Sequence, residues 1–479
     1  MVGTKDCSPF LDHYDPIGAY KFTNAQNQMI DVQGKHIVVI GAARSGIAVA
    51  ILLKHKGAQV FVTDVGPISM ESKTKLIDAG IDFEENGHTS SAEKGSFAVV
   101  SPGVPTEAPL VQYYLTSGKK VCSEIEVASW FTDQKILAIT GSNGKTTVTS
   151  WLAHIWETAQ ADFSLAGNIG FAFSEKVESA KGNHILEVSS FQLDHIHTFN
   201  PEISVLLNIT SDHLDRYAEK LENYAAAKFR ITENQTENNW FIFNFDDPLI
   251  KNHVEVLQKK ESFPQLWAFS NKKEVPEGAF IRNDQIIFRF NNKEETLMSV
   301  FEIGLKGQHN LQNGLAAALA ARAAEIKNEA IRESLKSFTG VENRLEVVRN
   351  VKGVKYINDS KATNVNAVWF ALDSYSVPMT LILGGRDKGN DYSELVDQIK
   401  DKVHTIIAIG ESKDRIKEQL GNIPPHFEMA ETMRDAVRFA NKVAKRGEVV
   451  LLSPACSSFD MFDDYEHRGK IFKDEVNKL

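Results

Sequence analysis

The stretch "AITGSNGKTTVTSWL", Ala138 to Leu152, sets two glycines, a lysine and paired threonines between an apolar run and a helix-like segment. Each part has a chemical use. Backbone N–H groups of a glycine-rich turn surround phosphate oxygens, a following lysine neutralises charge, and a hydroxyl reaches magnesium. Gly141, Ser142, Asn143, Gly144, Lys145, Thr146 and Thr147 supply all of these groups. The loop is therefore expected to hold ATP, with Lys145 on the β- and γ-phosphates and Thr146 on the metal. Its spacing is G-x-x-G-K-T-T, with Ile139 where the usual nucleotidase loop has its first glycine. A glycine-rich strand-to-helix turn with a solvated lysine is the alternative reading.

Two further residues have metal-ligand chemistry. "HILEVSSFQLD" ends its apolar run in Glu187, and "NITSDHLDRY" brings His213 to another strand-to-loop position. A carboxylate and a neutral imidazole both ligate divalent ions, although a histidine after a strand is commonly structural. A third loop, "GAARSG" after "HIVVI", has the shape of a dinucleotide-binding turn, with Asp64 ending the next strand. Ala43 occupies the middle glycine position, where a methyl group hinders backbone approach to a pyrophosphate. A nicotinamide dehydrogenase would leave the phosphate loop, Glu187 and His213 without work. A nucleotide-switched binding module with slow ATP hydrolysis is a second alternative.

These loops need strands to carry them. β-branched runs recur before Gly- or Ser-bearing turns and helix-like stretches: "HIVVI", "QVFVTD" and "FAVVSPG"; then "ILAITG", "HILEVSS", "SVLLNIT" and "WFIFN"; then "VKYINDS", "MTLILGG", "TIIAIG" and "VVLLSPA". Continuous apolar strands alternating with helices predict parallel sheets covered on both faces, an α/β chain in three units. The 479 residues suit that number. Boundaries fall at turn-like residues near 122–124 and 340–341, giving a leader 1–33 of unknown role and domains 34–123, 124–340 and 341–479. Alternating runs between Phe263 and Phe301, such as "QIIFRF", predict an antiparallel appendage to the middle domain.

Composition narrows the class. A net charge of -10 without a Lys/Arg block argues against nucleic acid as a partner. No apolar run approaches the roughly 18 residues of a membrane span, and the first residues lack a basic start followed by an apolar stretch. Cys7, Cys122 and Cys456 have no metal-binding spacing and read as ordinary thiols. A soluble, cytoplasmic protein without membrane contact is expected, and nothing in the sequence demands an oligomer.

Taken together, "TGSNGKTT", "GNIG", "EVSSFQLD", "DHLDRY", "AAKFRI", "GQHNLQNGLAA", "NDSKATN", "LGGRDKG" and "SPACSSFDMF" resemble the Mur ligases, the ATP-dependent amide-bond-forming family of peptidoglycan synthesis. The phosphate loop alone also fits folylpolyglutamate synthetases. "EVSSFQLD" and "SPACSSFDMFDDYEHRG" most resemble the branch that adds D-glutamate to UDP-N-acetylmuramoyl-L-alanine. The resemblance implies a Rossmann-like N-terminal domain for the UDP-substrate, a central P-loop ATPase-type domain and a Rossmann-like C-terminal domain for the amino acid. It also implies magnesium, with two ions expected, and transfer of the γ-phosphoryl group to a carboxylate before an amine attacks.

Residue by residue, the resemblance gives Lys145 and Thr146 the phosphates and magnesium, and Glu187 and His213 the metals. Asn168 contacts substrate near the reacting carboxylate. Lys228 matches a lysine that members of the family carbamylate to help place a second magnesium; a solvated helix lysine is the alternative. Asn310 and Asn313, three apart at a helix start, can face one ligand, and the family places adenine there. Arg344 and Asp359 approach the nucleotide, while Lys361 and Thr363 meet phosphate and incoming amino acid. Lys388, Ser458, Phe459 and Tyr465 are implied for D-glutamate; serine hydroxyl and N–H groups opening a helix suit its carboxylates, with a plain helix cap as the alternative. Arg44, Ser45, Asp64 and Gly103 are implied for UDP.

Overall fold

The computed structural model describes residues 31–386 and 389–479, so most of the leader and Lys388 lie outside the described residues. The chain divides into two compact units. The first holds the described chain up to Gly141, with Ala161–Ile242 and Asp247–Leu266; the second holds Ser142–Gln160, Phe243–Asp246 and Trp267–Leu479.

The first unit begins with β1 (His36–Ile40), β2 (Gln59–Thr63), β3 (Asp82–Glu84), β4 (Phe97–Val100) and β5 (Val121–Ser123), all parallel in the order β3-β2-β1-β4-β5. The alternation of β1 explains its unbroken apolar run. Ile37 and Val39 pack with Ile47, Ala50 and Leu53 of helix Arg44–His55, while Val38 and Ile40 pack with Leu110, Val111 and Tyr114 of helix Pro109–Thr116. The order reverses at β1, so the "GAARSG" turn leaves the sheet at its switch point, where open α/β sheets bind ligands. The turn-like residues expected at 122–124 are instead the end of β5 and the start of helix Glu124–Ser129.

The same unit holds β6 (Ile136–Thr140), β7 (Phe163–Gly167), β8 (Asn183–Glu187) and β9 (Ile203–Leu206), parallel in the order β9-β6-β8-β7. On β8 His184 is buried, with Nδ1 2.7 Å from Ser164 Oγ and Nε2 2.9 Å from Thr132 Oγ1. Burial pushes its imidazole down to about 4. Its folded value therefore lies below the ordinary one, so its contribution to stability is present above about 6.5 and is lost as pH falls toward 4. Urea unfolding of His184→Gln at pH 7.5 and 5 should show a smaller loss of stability on acidification than wild type; an equal loss removes His184 as a contributor.

Strands β10 (Trp240–Asn244) and β11 (Gln265–Ser270) have residues in both units; β11 with β12 (Gly278–Arg282), β13 (Gln285–Phe290) and β14 (Lys293–Ser299) forms the appendage. β12, β13 and β14 are antiparallel as expected, but β11 joins β12 in parallel, which corrects the expectation for that strand. Gly278 permits it, since its φ is +129° and a Cβ there would stand 1.9 Å from the Ala268 carbonyl oxygen. Helix Lys145–Thr158 packs on helices Gln308–Ala323 and Asn328–Ser337, with Trp151 stacked 4.8 Å from Phe338.

The third sheet contains β15 (Glu346–Val351), β16 (Val354–Asn358), β17 (Met379–Gly384), β18 (Val403–Ile409), β19 (His426–Met429) and β20 (Val449–Leu452), in the order β15-β16-β20-β17-β18-β19. All pairs are parallel except β15 with β16. Leu381, Leu383 and Ile406 face one helical layer, and Ile382 and Ile407 the other.

Candidate functional site

In the first unit the loop residues gather at the carboxyl ends of β6 to β9. Gly141 has φ +151°, and a Cβ there would meet Leu207 Cβ at 2.9 Å. Lys228, near the end of helix Leu221–Phe229, is only 1% exposed; its Nζ donates to the Gly141 carbonyl at 3.0 Å and lies 4.5 Å from the Tyr224 ring centre. The solvated-lysine alternative is thereby overturned. A long side chain reaches inward from its helix and places a nitrogen against the phosphate loop.

Asn168 follows β7, and Glu187 ends β8 beside it. The Asn168 N–H donates to the Glu187 carbonyl at 2.8 Å, and its Nδ2 donates to Glu187 Oε1 at 2.9 Å. The paired strand ends lie so close that a Cβ on Gly167 would stand 2.3 Å from the Glu187 carbonyl oxygen. His213 has the left-handed φ of 51°, a conformation that costs about 1 kcal/mol or more for a non-glycine residue and clusters at functional sites. Its ring lies edge-on to Phe191 at 5.2 Å. The Arg216 guanidinium sits 4.5 Å over that same Phe191 ring and donates from Nη2 to the Val104 carbonyl at 3.1 Å, beside Gly103. Arg216 stands inside "DHLDRY", yet its residue type alone gave no reason to single it out.

The "GAARSG" turn starts a helix with an alanine at its cap, so no side chain covers the N–H groups that Arg44 and Ser45 follow. Asp64 accepts from Ala42 N–H at 2.7 Å and Gly66 N–H at 2.9 Å, and so braces the turn through backbone. Ser101 Oγ donates to the Gly41 carbonyl at 2.9 Å, tying this turn to the "SPGV" loop, where Gly103 is exposed.

In the second unit Ser142, Asn143 and Gly144 lead into helix Lys145–Thr158, with Gly144 left-handed at φ 86°. Lys145 Nζ donates to the Ser142 carbonyl at 2.8 Å. Thr146 and Thr147 are buried, and Thr146 Oγ1 has no hydrogen-bond partner among the described residues. A buried hydroxyl of this kind at a helix N-terminus fits a metal-bound phosphate. Asn310 and Asn313 share a face of helix Gln308–Ala323, Asn313 Nδ2 donating to Asn310 Oδ1 at 3.3 Å.

Asp359 is buried and accepts from Ser453 Oγ at 2.8 Å and Leu345 N–H at 3.3 Å. Burial pushes its carboxyl up to about 7, against the opposing pull of the Ser453 hydrogen bond and the Arg344 charge. Arg344 Nε is buried without a hydrogen-bond partner among the described residues. Lys361 Nζ lies 5.0 Å from the Tyr465 ring centre, so these two expected residues meet. Thr363 closes the same loop, before the Asn364 cap of helix Val365–Asp373.

Ser458 is buried and Phe459 is 62% exposed. The expectation that their N–H groups open a helix is corrected: the Ser458 carbonyl accepts from Met461 and Phe462 N–H in a tight turn, and the helix starts at Tyr465 with Asp464 as its cap. Arg468, unforeseen, is fully buried beneath this turn; it donates from Nη1 to the Cys456 carbonyl at 3.0 Å and from Nη2 to the Ser360 carbonyl at 2.7 Å. It joins the "SPACSS" and "NDSKATN" loops. Cys122 and Cys456 are buried free thiols.

Among the described residues no three His, Cys, Asp or Glu side chains converge as a metal cluster. Magnesium needs no all-protein cage, since it keeps waters and takes phosphate oxygens. No helix among the described residues is long and apolar enough to cross a membrane.

Comparison with known proteins gives the family. The Mur ligase middle domain matches residues 139–321, the Mur ligase glutamate ligase domain residues 343–456, and the MurD N-terminal domain residues 36–109. UDP-N-acetylmuramoylalanine–D-glutamate ligase of Salinibacter ruber is 46% identical over 94% of this chain and 99% of its own. Its counterpart in Christiangramia forsetii is 44% identical over 93% and 100%. In fold, the chain is similar to UDP-N-acetylmuramate–alanine ligase of Thermotoga maritima, with a TM-score of 0.58, 16% identity, and 93% and 99% of the two chains covered. The chain belongs to the Mur ligase family, in the branch of the UDP-N-acetylmuramoylalanine–D-glutamate ligases.

Proposed function

We propose that the protein adds D-glutamate to UDP-N-acetylmuramoyl-L-alanine at the expense of ATP, in the making of peptidoglycan precursors. The observation that carries this reading is the match to D-glutamate ligases over 94% of the chain. Mur ligases use ATP and magnesium; the buried Thr146 hydroxyl has the donor chemistry for a metal-bound phosphate, and Glu187 and His213 each carry metal-ligand donors of their own. Bound magnesium supplies positive charge against the transferring phosphoryl group; two ions are the fuller form of the proposal.

Lys145 and the N–H groups of Ser142 to Thr147 hold the β- and γ-phosphates, and Asn310, Asn313, Arg344 and Asp359 hold the rest of the nucleotide. Arg44, Ser45, Asp64 and Gly103 take the UDP end, and Asn168 orients the acceptor carboxylate. That carboxylate attacks the γ-phosphorus, the bond from that phosphorus to the β,γ-bridging oxygen breaks, ADP leaves, and the product is an acyl phosphate, a far better acyl donor. The neutral D-glutamate amine then attacks the acyl carbon, the C–O bond to phosphate breaks, inorganic phosphate leaves, and the nitrogen gives up one proton to become the amide. Lys361, Thr363, Lys388, Ser458, Phe459 and Tyr465 receive the amino acid. Lys228 serves in carbamylated form, its inward reach matching a group that works at the phosphate loop.

Domains 34–123, 124–340 and 341–479 divide the work between UDP-substrate, ATP and amino acid. The protein acts in the cytoplasm as a monomer, on small molecules, without nucleic acid or membrane. The test is oxygen transfer. With labelled oxygen in the carboxylate of UDP-N-acetylmuramoyl-L-alanine, the liberated phosphate should carry the label; unlabelled phosphate would refute acyl-phosphate formation. An acceptor screen with D-Glu, L-Glu, L-Ala and diamino acids separates this from the alternative, another Mur-type or folylpolyglutamate-type ligase.

A further inference from the structure

Inside the second unit, Asn143 of the phosphate loop donates from Nδ2 to Asn366 Oδ1 at 2.8 Å. Asn366 lies in the first turn of helix Val365–Asp373, three residues after Thr363 in the loop that also carries Lys361. One turn further along the helix, the Phe370 ring lies 5.8 Å from His309, the neighbour of Asn310. Positions 366 and 370 are four apart and so share one face of the helix. That face meets the ATP-binding elements twice, by an amide pair at the phosphate loop and by a ring pair beside the adenine-side asparagines.

We propose that Asn366 is a positioning residue, which through Asn143 sets the loop of Lys361 and Thr363 in register with the nucleotide phosphates. The proposal rests on the ligase reading above. An amide pair suits this task because it adds no charge where phosphate is already held by cations. It is also directional, since a 2.8 Å N–H···O bond weakens steeply when its angle opens. The register of the amino-acid loop thus depends on the conformation of the loop that grips ATP.

The test is steady-state ligation by the full chain, varying ATP, D-glutamate and UDP-N-acetylmuramoyl-L-alanine in turn. Asn366→Ala should raise KM for ATP and for D-glutamate about five- to tenfold, the scale of one lost hydrogen bond with its partner left in place. KM for the UDP-substrate should stay within about twofold, a split that a general loss of structure does not produce. Asn143→Ala should raise the same two constants. The double variant should exceed the worse single by no more than about twofold, because the two amides act through one bond. Unchanged KM values in Asn366→Ala, or losses that multiply in the double variant, overturn the proposal. Absence of any ligation by the wild-type chain would instead remove the reading on which it rests.

Discussion

Replacing Lys145 by alanine lowers ligase turnover at least about a hundredfold while shifting the unfolding free energy by less than roughly 0.5 kcal/mol. The two halves of this expectation have separate causes. Lys145 is half-buried at the start of its helix, and it donates a hydrogen bond to the Ser142 carbonyl of its own loop. A polar, half-buried side chain leaves no apolar core cavity of the kind that makes large stability losses when it is removed. The ammonium charge, by contrast, works where negative charge accumulates during phosphoryl transfer. A hundredfold loss corresponds to about 2.7 kcal/mol of barrier, the scale of one well-placed electrostatic donor. Product formation by mass spectrometry and urea unfolding measure the two halves independently. Turnover near wild type rejects Lys145 as a phosphate ligand; lost turnover with a large loss of stability means that the lysine serves the fold. Lys228→Ala is no substitute for this test, because the side chain is buried and its removal leaves a cavity.

The contrast between those two lysines shows where sequence reading reaches its limit. Both stand in helices, and both are lysines beside small or β-branched residues. For Lys145 the surrounding glycines identify a turn whose backbone N–H groups converge, a local property that spacing reveals. For Lys228 the informative fact is a hydrogen bond to Gly141, 87 positions away in sequence, which only the folded sheet creates. Strands follow the same rule. Fully buried runs such as "ILAIT" and "MTLILG" are legible because both faces are covered. Short strands such as β3 (DFE) and β19 (HFEM) carry mixed polarity and hold their places through pairing with β2 and β18. Arg468 was invisible for a related reason. A guanidinium in a polar helix reads as surface charge until the carbonyls of Cys456 and Ser360 are seen to enclose it. At Ser458 a serine-rich stretch before a helix resembles a cap in sequence, whereas Asp464 performs that task six residues later.

Glu187→Gln lowers turnover by about a hundredfold or more and raises the magnesium concentration needed for half-maximal rate, with little change in melting temperature. Glutamine is the discriminating replacement here. Its side-chain oxygen still accepts from Asn168 Nδ2, the bond that Glu187 Oε1 makes at 2.9 Å, so the paired ends of β7 and β8 keep their polar contact. What disappears is the negative charge at the end of β8, and a hard dication draws most of its affinity from charge and oxygen donors together. Removing that charge from a residue only 1% exposed also relieves desolvation, which is why the fold should tolerate the change. Activity titrations from micromolar to tens of millimolar magnesium distinguish the cases. A rate that recovers at high magnesium marks Glu187 as a ligand whose lost affinity mass action can offset. A rate that stays low at every concentration assigns the charge to orienting the reacting groups after the metal is bound. Wild-type turnover at ordinary magnesium removes Glu187 from the metal site and leaves its bond to Asn168 as a purely structural one.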